Sequence, residues 1–354
     1  MLPLLRLTRP LNLAIIVLTM AAMRYGVVGA WLDHTSAAMR FVAEDPSVPL
    51  VAAIPDNQLH HAFPGWLFWM LVASTVLIAA GGNVINDYFD TRIDRVNRPE
   101  TLIVGRTVKR RVAMAAHLVL SGAGLLLGLF VAWRSGQLRW ALIPVLAVGA
   151  LWTYSTRLKR MFLIGNGAVA VLSALVPITV GLYEVTALAM KYPLTVDLFE
   201  SDGTPRTLAF DFNTPWFWIL GYGVFAFLTT LAREVQKDLA DVKGDEADGC
   251  RTLPIVWGTG WAQAVAMLYL ALALVGVLFV RMRLLHDPLS YWYVGLAVIA
   301  PLLLAAGFTY NAASRREYTT AGNLTKAAMV LAILYAFLLH RTVWNVALLS
   351  PALN

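Results

Sequence analysis

Residues 64–94, PGWLFWMLVASTVLIAAGGNVINDYFDTRID, carry two patterns back to back. First comes an apolar run of the length a helix needs to cross a bilayer, about 20 residues at a rise of about 1.5 Å each. The run then ends in a cluster of amides and acids: Asn83, Asn86, Asp87, Asp90 and Asp94. Apolar runs of similar length recur, giving candidate spans at 10–31, 64–86, 109–133, 138–154, 164–186, 214–233, 261–281, 291–311 and 325–348. The pattern predicts an all-α, polytopic membrane bundle of nine transmembrane helices in a single domain, 1–354.

Composition supports this. Of 354 residues, 59% are hydrophobic and only 14% charged, whereas a soluble domain carries roughly a quarter charged residues. The single cysteine, Cys250, excludes an internal disulfide and any Cys-based metal cluster. The stretch from Leu11 to Trp31 is too long for the apolar region of a cleavable signal and reads as the first span.

With nine spans, Lys and Arg favour one side of the membrane by more than two to one. The positive-inside rule makes that side cytoplasmic, together with the N-terminus. The net charge of +7 follows from this asymmetry and suits anionic lipid headgroups. No basic arm or stacking platform points to nucleic acid. Two longer polar loops, 32–63 and 187–213, are expected on the opposite side.

A second acidic cluster, Glu234 to Asp245, follows span 6. Asp238, Asp241 and Asp245 repeat the i, i+3, i+7 spacing of Asp87, Asp90 and Asp94, and Glu234 stands to Asp238 as Asn83 stands to Asp87. At about 3.6 residues per turn, each trio is expected on one helical face. Four spans separate the clusters, which implies two related four-helix halves plus one added helix, with a site at their interface. One such cluster also reads as a solubilising patch at the membrane boundary; two of identical spacing point to a site. Carboxylates on one face repel one another. Hard Mg²⁺ suits an oxygen-only set and is commonly held by carboxylates together with substrate phosphate. Two clusters, Mg²⁺ and a diphosphate form a closed electrostatic system that stabilises a leaving group.

Tyr154-Ser-Thr-Arg157-Leu-Lys159-Arg160 follows span 4 on the same side. It reads equally as a topology signal and as a diphosphate contact. Arg9 and Asn12, at the entry to span 1, carry a weaker version of the same ambiguity. Arg24 stands inside span 1, where it could pair, snorkel or face a cavity.

These motifs resemble the UbiA superfamily of intramembrane prenyltransferases. Asn86, Asp87, Asp90 and Asp94 match its first motif, and Asp241 and Asp245 its second, with Asp238 one turn earlier. Tyr154 and Lys159 resemble its loop motif with one extra residue between them. The resemblance implies Mg²⁺ as cofactor, a prenyl diphosphate donor and a lipidic or aromatic acceptor. On that reading Asp87, Asp90, Asp94, Asp238, Asp241 and Asp245 are the catalytic carboxylates and, with Asn86, the metal ligands. Asn12, Asn83, Tyr154, Arg157, Lys159 and Lys237 are then the substrate-binding residues.

Within the superfamily, residues 86–95 and 233–238 are most similar to the branch that transfers geranylgeranyl to geranylgeranylglyceryl phosphate. The chain departs from that branch at 98–105 and in its two long loops. Arg92, Arg95, Arg98 and Lys237 are the cations available for an acceptor phosphate. An aromatic acceptor is the alternative within the superfamily. A cation-coupled transporter is the alternative outside it, and would place its acids nearer mid-membrane.

Overall fold

The computed structural model describes residues 2–43, 58–97, 99–192, 195–199, 205–341 and 347–351. Among these are nine helices long and apolar enough to cross a membrane: α1 (Pro10–Arg40), α2 (Gly65–Phe89), α3 (Arg110–Arg134), α4 (Leu138–Thr156), α5 (Ile164–Lys191), α6 (Asn213–Ala247), α7 (Thr259–Arg283), α8 (Pro288–Asn311) and α9 (Arg315–Arg341). Two four-helix groups follow α1, namely α2–α5 and α6–α9, and each begins with an acid-bearing helix.

Helices α1, α6 and α9 depart most from the sequence expectation, and the last expected span, 325–348, is helical only to Arg341, with residues 347–351 in a strand. Helix α1 continues to Arg40, into the expected 32–63 loop, and 44–57 lie outside the described residues. Helix α6 runs through its charged end to Ala247, where Asp238 and Asp241 find partners on neighbouring helices. Helix α9 begins at Arg315, where Ser314 and Glu317 form a capping box.

The polar 187–213 connection is not all loop. Thr195–Phe199 (β1) pairs antiparallel with Pro205–Phe210 (β2), and β2 with Ala347–Pro351 (β3). This small sheet supplements an otherwise helical chain. Its register, with Thr195 opposite Ala209 and Arg206 opposite Pro351, brings the end of the chain back to that connection.

Helix α2 packs most extensively on α3, and α5 on α6, which joins the two groups. Lipid gives helices little hydrophobic reason to associate, so close packing and interhelical hydrogen bonds carry the contact. Ser74 Oγ of α2 donates to the Gly124 carbonyl of α3 at 2.6 Å. At the centre of the second group the fully buried Gln236 of α6 donates to Thr309 Oγ1 of α8 at 2.8 Å. It accepts from Thr325 Oγ1 of α9 at 3.1 Å. Each such bond contributes on the order of 0.6 kcal/mol, up to about 2.

Arg24 neither snorkels nor faces a cavity. It lies in a π-helical segment of α1, Ala22–Val28, and donates to the Glu184 carboxylate of α5. It also donates to the Phe63 carbonyl at 2.8 Å, and its guanidinium lies 4.7 Å from the Phe68 ring centre. His61 Nδ1 stands 3.4 Å from the second Glu184 oxygen. This buried pair fixes α1 to α5 in the half of the bundle away from the acidic clusters.

Candidate active site

The first acidic cluster does not form one uninterrupted helical face. Helix α2 ends at Phe89, and Asp90 adopts φ −80, ψ 0 at the junction with a short helix, Thr91–Asn97. Asp87 therefore belongs to α2, Asp90 to the junction and Asp94 to the next helix, with the Asp94 N–H donating to the Asp90 carbonyl at 2.8 Å. The second cluster, Asp238, Asp241 and Asp245, lies on continuous helix as expected.

Two acids of the first cluster, Asp90 and Asp87, are oriented by specific neighbours. Asn86 Nδ2 donates to Asp90 Oδ2 at 2.7 Å. The Lys159 ammonium, from the 3₁₀ turn Leu158–Arg160, is ion-paired with the other oxygen of Asp90. Arg9 Nη2 donates to Asp87 Oδ1 at 2.5 Å. Burial opposes charge on Arg9, but Asp87, Tyr154 and Glu234 together outweigh it and the guanidinium pKa rises. Arg9 itself sits in the left-handed region, φ 54 and ψ 66, a strained conformation for a residue with a side chain. Its ion pair with Asp87 holds it there. Asn83 Nδ2 secures the same entry segment through the Thr8 carbonyl at 2.9 Å.

The turn bearing Lys159 depends on a glycine. A Cβ on Gly165 would lie 2.8 Å from the Leu158 carbonyl oxygen and 2.8 Å from the Lys159 Cα. Any side chain there forces the turn away from α5 and carries Lys159 off Asp90.

On the facing wall, Asp238 Oδ2 accepts from Asn166 Nδ2 of α5 at 2.9 Å. Asp241 Oδ1 accepts from Arg315 Nη2 of α9 at 3.0 Å, and Asp241 and Asp245 are both buried. Glu234 lies between Arg233 at 3.5 Å and Lys237 at 3.6 Å. The two walls meet where Asn97 reaches α6, donating to the Asp241 carbonyl at 3.1 Å.

Two cavities converge above these acids. One is a channel through the bundle, lined at its acid-bearing end by Asn86, Tyr154 and Lys237 and farther in by Ile78, Leu172 and Tyr183. The other opens between α1, α6 and α9 and is lined by Asp87, Asp94, Arg233, Tyr318 and Lys326 among others. Arg9, Asn12, Asn83, Glu234 and Lys237 line both. Of the residues singled out in the sequence, Asp90, Lys159, Asp238, Asp241, Asp245 and Arg157 line neither of these two cavities; the first five belong to the two acidic walls, whereas Arg157 is exposed at the end of α4. Arg92 and Arg95 are also exposed, and Arg98 lies outside the described residues.

The donor chemistry fits Mg²⁺. The set is oxygen-only, and Asn86 Oδ1 is buried without a hydrogen-bond partner, as an oxygen reserved for a cation is. Among the described residues no three His, Cys, Asp or Glu side chains already form a metal-holding group.

Several of these contacts have no signature in the sequence: Arg9 also fits a topology charge, and Asn97, Asn166, Arg315 and Lys326 belong to no recognised motif. A signal existed for α9. Arg315, Thr319, Gly322 and Lys326 recur every three or four residues and mark one polar face.

Together these features suit a molecule with an anionic head and a long apolar tail. The chain belongs to the UbiA prenyltransferase family, whose model matches residues 58–323, and it is an integral, multi-pass enzyme. It is 33% identical over 236 residues to digeranylgeranylglyceryl phosphate synthase of Thermococcus gammatolerans, covering 67% of this chain and 70% of that one. Against the synthase of the same name from Methanosphaera stadtmanae, identity is 29% over 299 residues, 84% of this chain and 89% of the other. A solved structure of a digeranylgeranylglyceryl phosphate synthase shares the fold, with TM-score 0.54, 18% identity and coverage of 95% and 98%.

Proposed function

We propose that the protein makes an ether lipid, moving a geranylgeranyl group from its diphosphate to the glycerol hydroxyl of geranylgeranylglyceryl phosphate. The observation that carries this reading is the meeting of the two cavities at one polar wall of Arg9, Asn12, Asn83, Glu234 and Lys237. A donor tail in the channel and an acceptor in the side cavity then present their reacting ends to each other. Channel-lining residues on α2 run from Asn86 to Leu71, which at about 1.5 Å per residue is roughly 22 Å of depth. The names of the relatives point to the same acceptor.

In this reading Asn86, Asp87, Asp90 and Asp94 hold Mg²⁺ and diphosphate from one wall, and Asp238, Asp241 and Asp245 from the other. Bound there, Mg²⁺ neutralises the charge that collects on the departing diphosphate. Lys159, placed against Asp90, and Lys237, at the channel mouth, bind diphosphate oxygens. Asn86, Tyr154 and the apolar channel fix the first carbon of the tail and keep water from it. The bond from that carbon to diphosphate breaks, the glycerol oxygen bonds to it, and the hydroxyl proton is released. The N-terminus and the acid-bearing end are cytoplasmic, a placement supported by the excess of Lys and Arg there.

The test is purified protein with Mg²⁺, geranylgeranyl diphosphate and geranylgeranylglyceryl phosphate, followed by mass spectrometry of the lipid. The expected product carries a second geranylgeranyl group on glycerol oxygen. Product on the ring of an aromatic acid offered in the same panel, with none on glycerol, rejects the acceptor and leaves prenyl transfer standing.

A further inference from the structure

The side cavity holds more positive charge than its own acids use. Four cations line it, Arg9, Arg233, Lys237 and Lys326, against three acids, Asp87, Asp94 and Glu234. Arg9 is bound to Asp87, and Glu234 lies between Arg233 and Lys237. Lys326 is different. Its ammonium donates to Asn12 Oδ1 at 2.6 Å and, among the described residues, has no carboxylate within ion-pairing distance. A charged lysine within a membrane-spanning helix is costly to maintain and by default points to a function.

Its position separates it from the donor's head. Lys159, on the α4–α5 turn, addresses Asp90, whereas Lys326 projects from α9 into the side cavity. Asn12 lines both cavities and accepts the Lys326 bond, so the lysine borders the polar wall where the reacting ends meet. Arg233, one helix over, lines the same cavity but not the channel.

We propose that Lys326, assisted by Arg233, is the binding site for the phosphate of the acceptor lipid, an anion site separate from the one that holds the donor diphosphate. The proposal rests on the prenylglycerol phosphate reading above. The sequence offered Arg92, Arg95, Arg98 and Lys237 for this role; of these only Lys237 lines the side cavity, and the site is assigned instead to Lys326 and Arg233. A phosphomonoester held at Lys326 leaves the glycerol hydroxyl directed toward Asn12 and the channel mouth, so this contact selects phosphorylated over neutral prenylglycerol.

Initial rates of purified Lys326→Gln, Lys326→Arg, Arg233→Gln and the unaltered enzyme test this. The acceptor is varied at saturating geranylgeranyl diphosphate, then the donor at saturating acceptor, with phosphorylated and dephosphorylated geranylgeranylglycerol compared. Loss of one charge-assisted contact predicts an acceptor KM raised about tenfold or more in Lys326→Gln, with a smaller rise in Arg233→Gln. The preference for the phosphorylated acceptor should shrink by the same factor, the donor KM should hold, and Lys326→Arg should recover most of the loss. An unchanged phosphate preference in Lys326→Gln, or a donor KM that rises in step, overturns the site. Should Lys326→Gln not fold, sn-glycerol phosphate with unaltered enzyme gives the answer: competition against the acceptor alone supports the site, and competition against the donor overturns it. If the unaltered enzyme prenylates only the dephosphorylated lipid, the acceptor reading itself fails and takes this site with it.

Discussion

The Asn97 side chain bridges the two acidic walls, with its Oδ1 accepting from the Gly244 N–H at 3.1 Å and its Nδ2 donating to the Asp241 carbonyl at 3.1 Å. The residue ends the short helix that carries Asp94, so this amide sets how far the first cluster stands from the second. Asn97→Ala removes both bonds, at about 0.5–1.5 kcal/mol each. Displacement of the walls by about 1 Å is expected to lower turnover on the order of 100-fold. Gly244→Ala should act in the same direction, because its Cβ would collide with the Asn97 amide. Prenyl-transfer rates on both variants check this, and wild-type turnover in Asn97→Ala would show that the bridge does not position the acids.

Asp90→Ala and Asp241→Ala are each expected to abolish measurable turnover while the protein still inserts and folds. Asp90 is the partner of both Asn86 and Lys159, and Asp241 of Arg315. Groups that stabilise a departing anion are typically worth about 10²–10³ in rate. Product formation is the measurement, with detergent-phase gel filtration as the folding control. Near wild-type transfer in either variant would sink the assignment of that wall.

These two tests fall on residues that the sequence already exposed, and the reason is local. An apolar run followed by Asp87, Asp90 and Asp94, repeated before Asp238, Asp241 and Asp245, is visible within a few turns of helix. Asn97 was not visible as a bridge, because its partners lie some 147 positions away. The continuation of α6 to Ala247 was hidden because charged residues depress hydropathy whether they meet water or the Arg315 and Asn166 side chains of other helices. The break at Asp90 was hidden too, since i, i+3, i+7 spacing is the same in an intact helix and in one interrupted by a single turn. The sheet pairs Arg206 with Pro351, a long-range register that two short polar stretches do not announce.

Glu184→Gln is expected to destabilise the bundle more than any single change in the acidic clusters. It leaves Arg24 buried, 3% exposed, without its carboxylate. Breaking one side of a buried pair costs about 3–5 kcal/mol, whereas replacing both partners with apolar residues of similar volume is often close to neutral. Thermal unfolding in detergent should therefore rank Glu184→Gln far below Arg24→Met/Glu184→Leu. If the double variant is no more stable than the single one, the pair contributes more than compensation of buried charge.

Cys250 should be a poor nucleophile. Burial, followed by the negative Asp245 and Asp248, pushes its thiol up to about 11, so at pH 8 it stays protonated. Relative to an unshifted thiol, the thiolate fraction is lower by roughly 100-fold. Maleimide labelling should be slow at pH 8 and accelerate with each pH unit toward 11. Rapid labelling at pH 7 would show that the thiol is open to solvent and unshifted.

Membrane orientation can be read with introduced cysteines in a Cys250→Ala background. Arg316, at the start of α9, is exposed at the acid-bearing end, and Arg139, at the start of α4, is exposed at the opposite end. Lys and Arg are concentrated at the acid-bearing end, and moving basic loops outward against the membrane potential is disfavoured, so that end should face the cytoplasm. A membrane-impermeant maleimide added to intact cells should then label Arg139→Cys, and should label Arg316→Cys only after permeabilisation. The orientation also bears on supply. On the proposed reaction, a charged donor diphosphate would reach the site from the side where the acids open, and the lipid acceptor along the bilayer. Labelling of Arg316→Cys in intact cells, with Arg139→Cys protected, would invert the protein and require the donor to be delivered from outside.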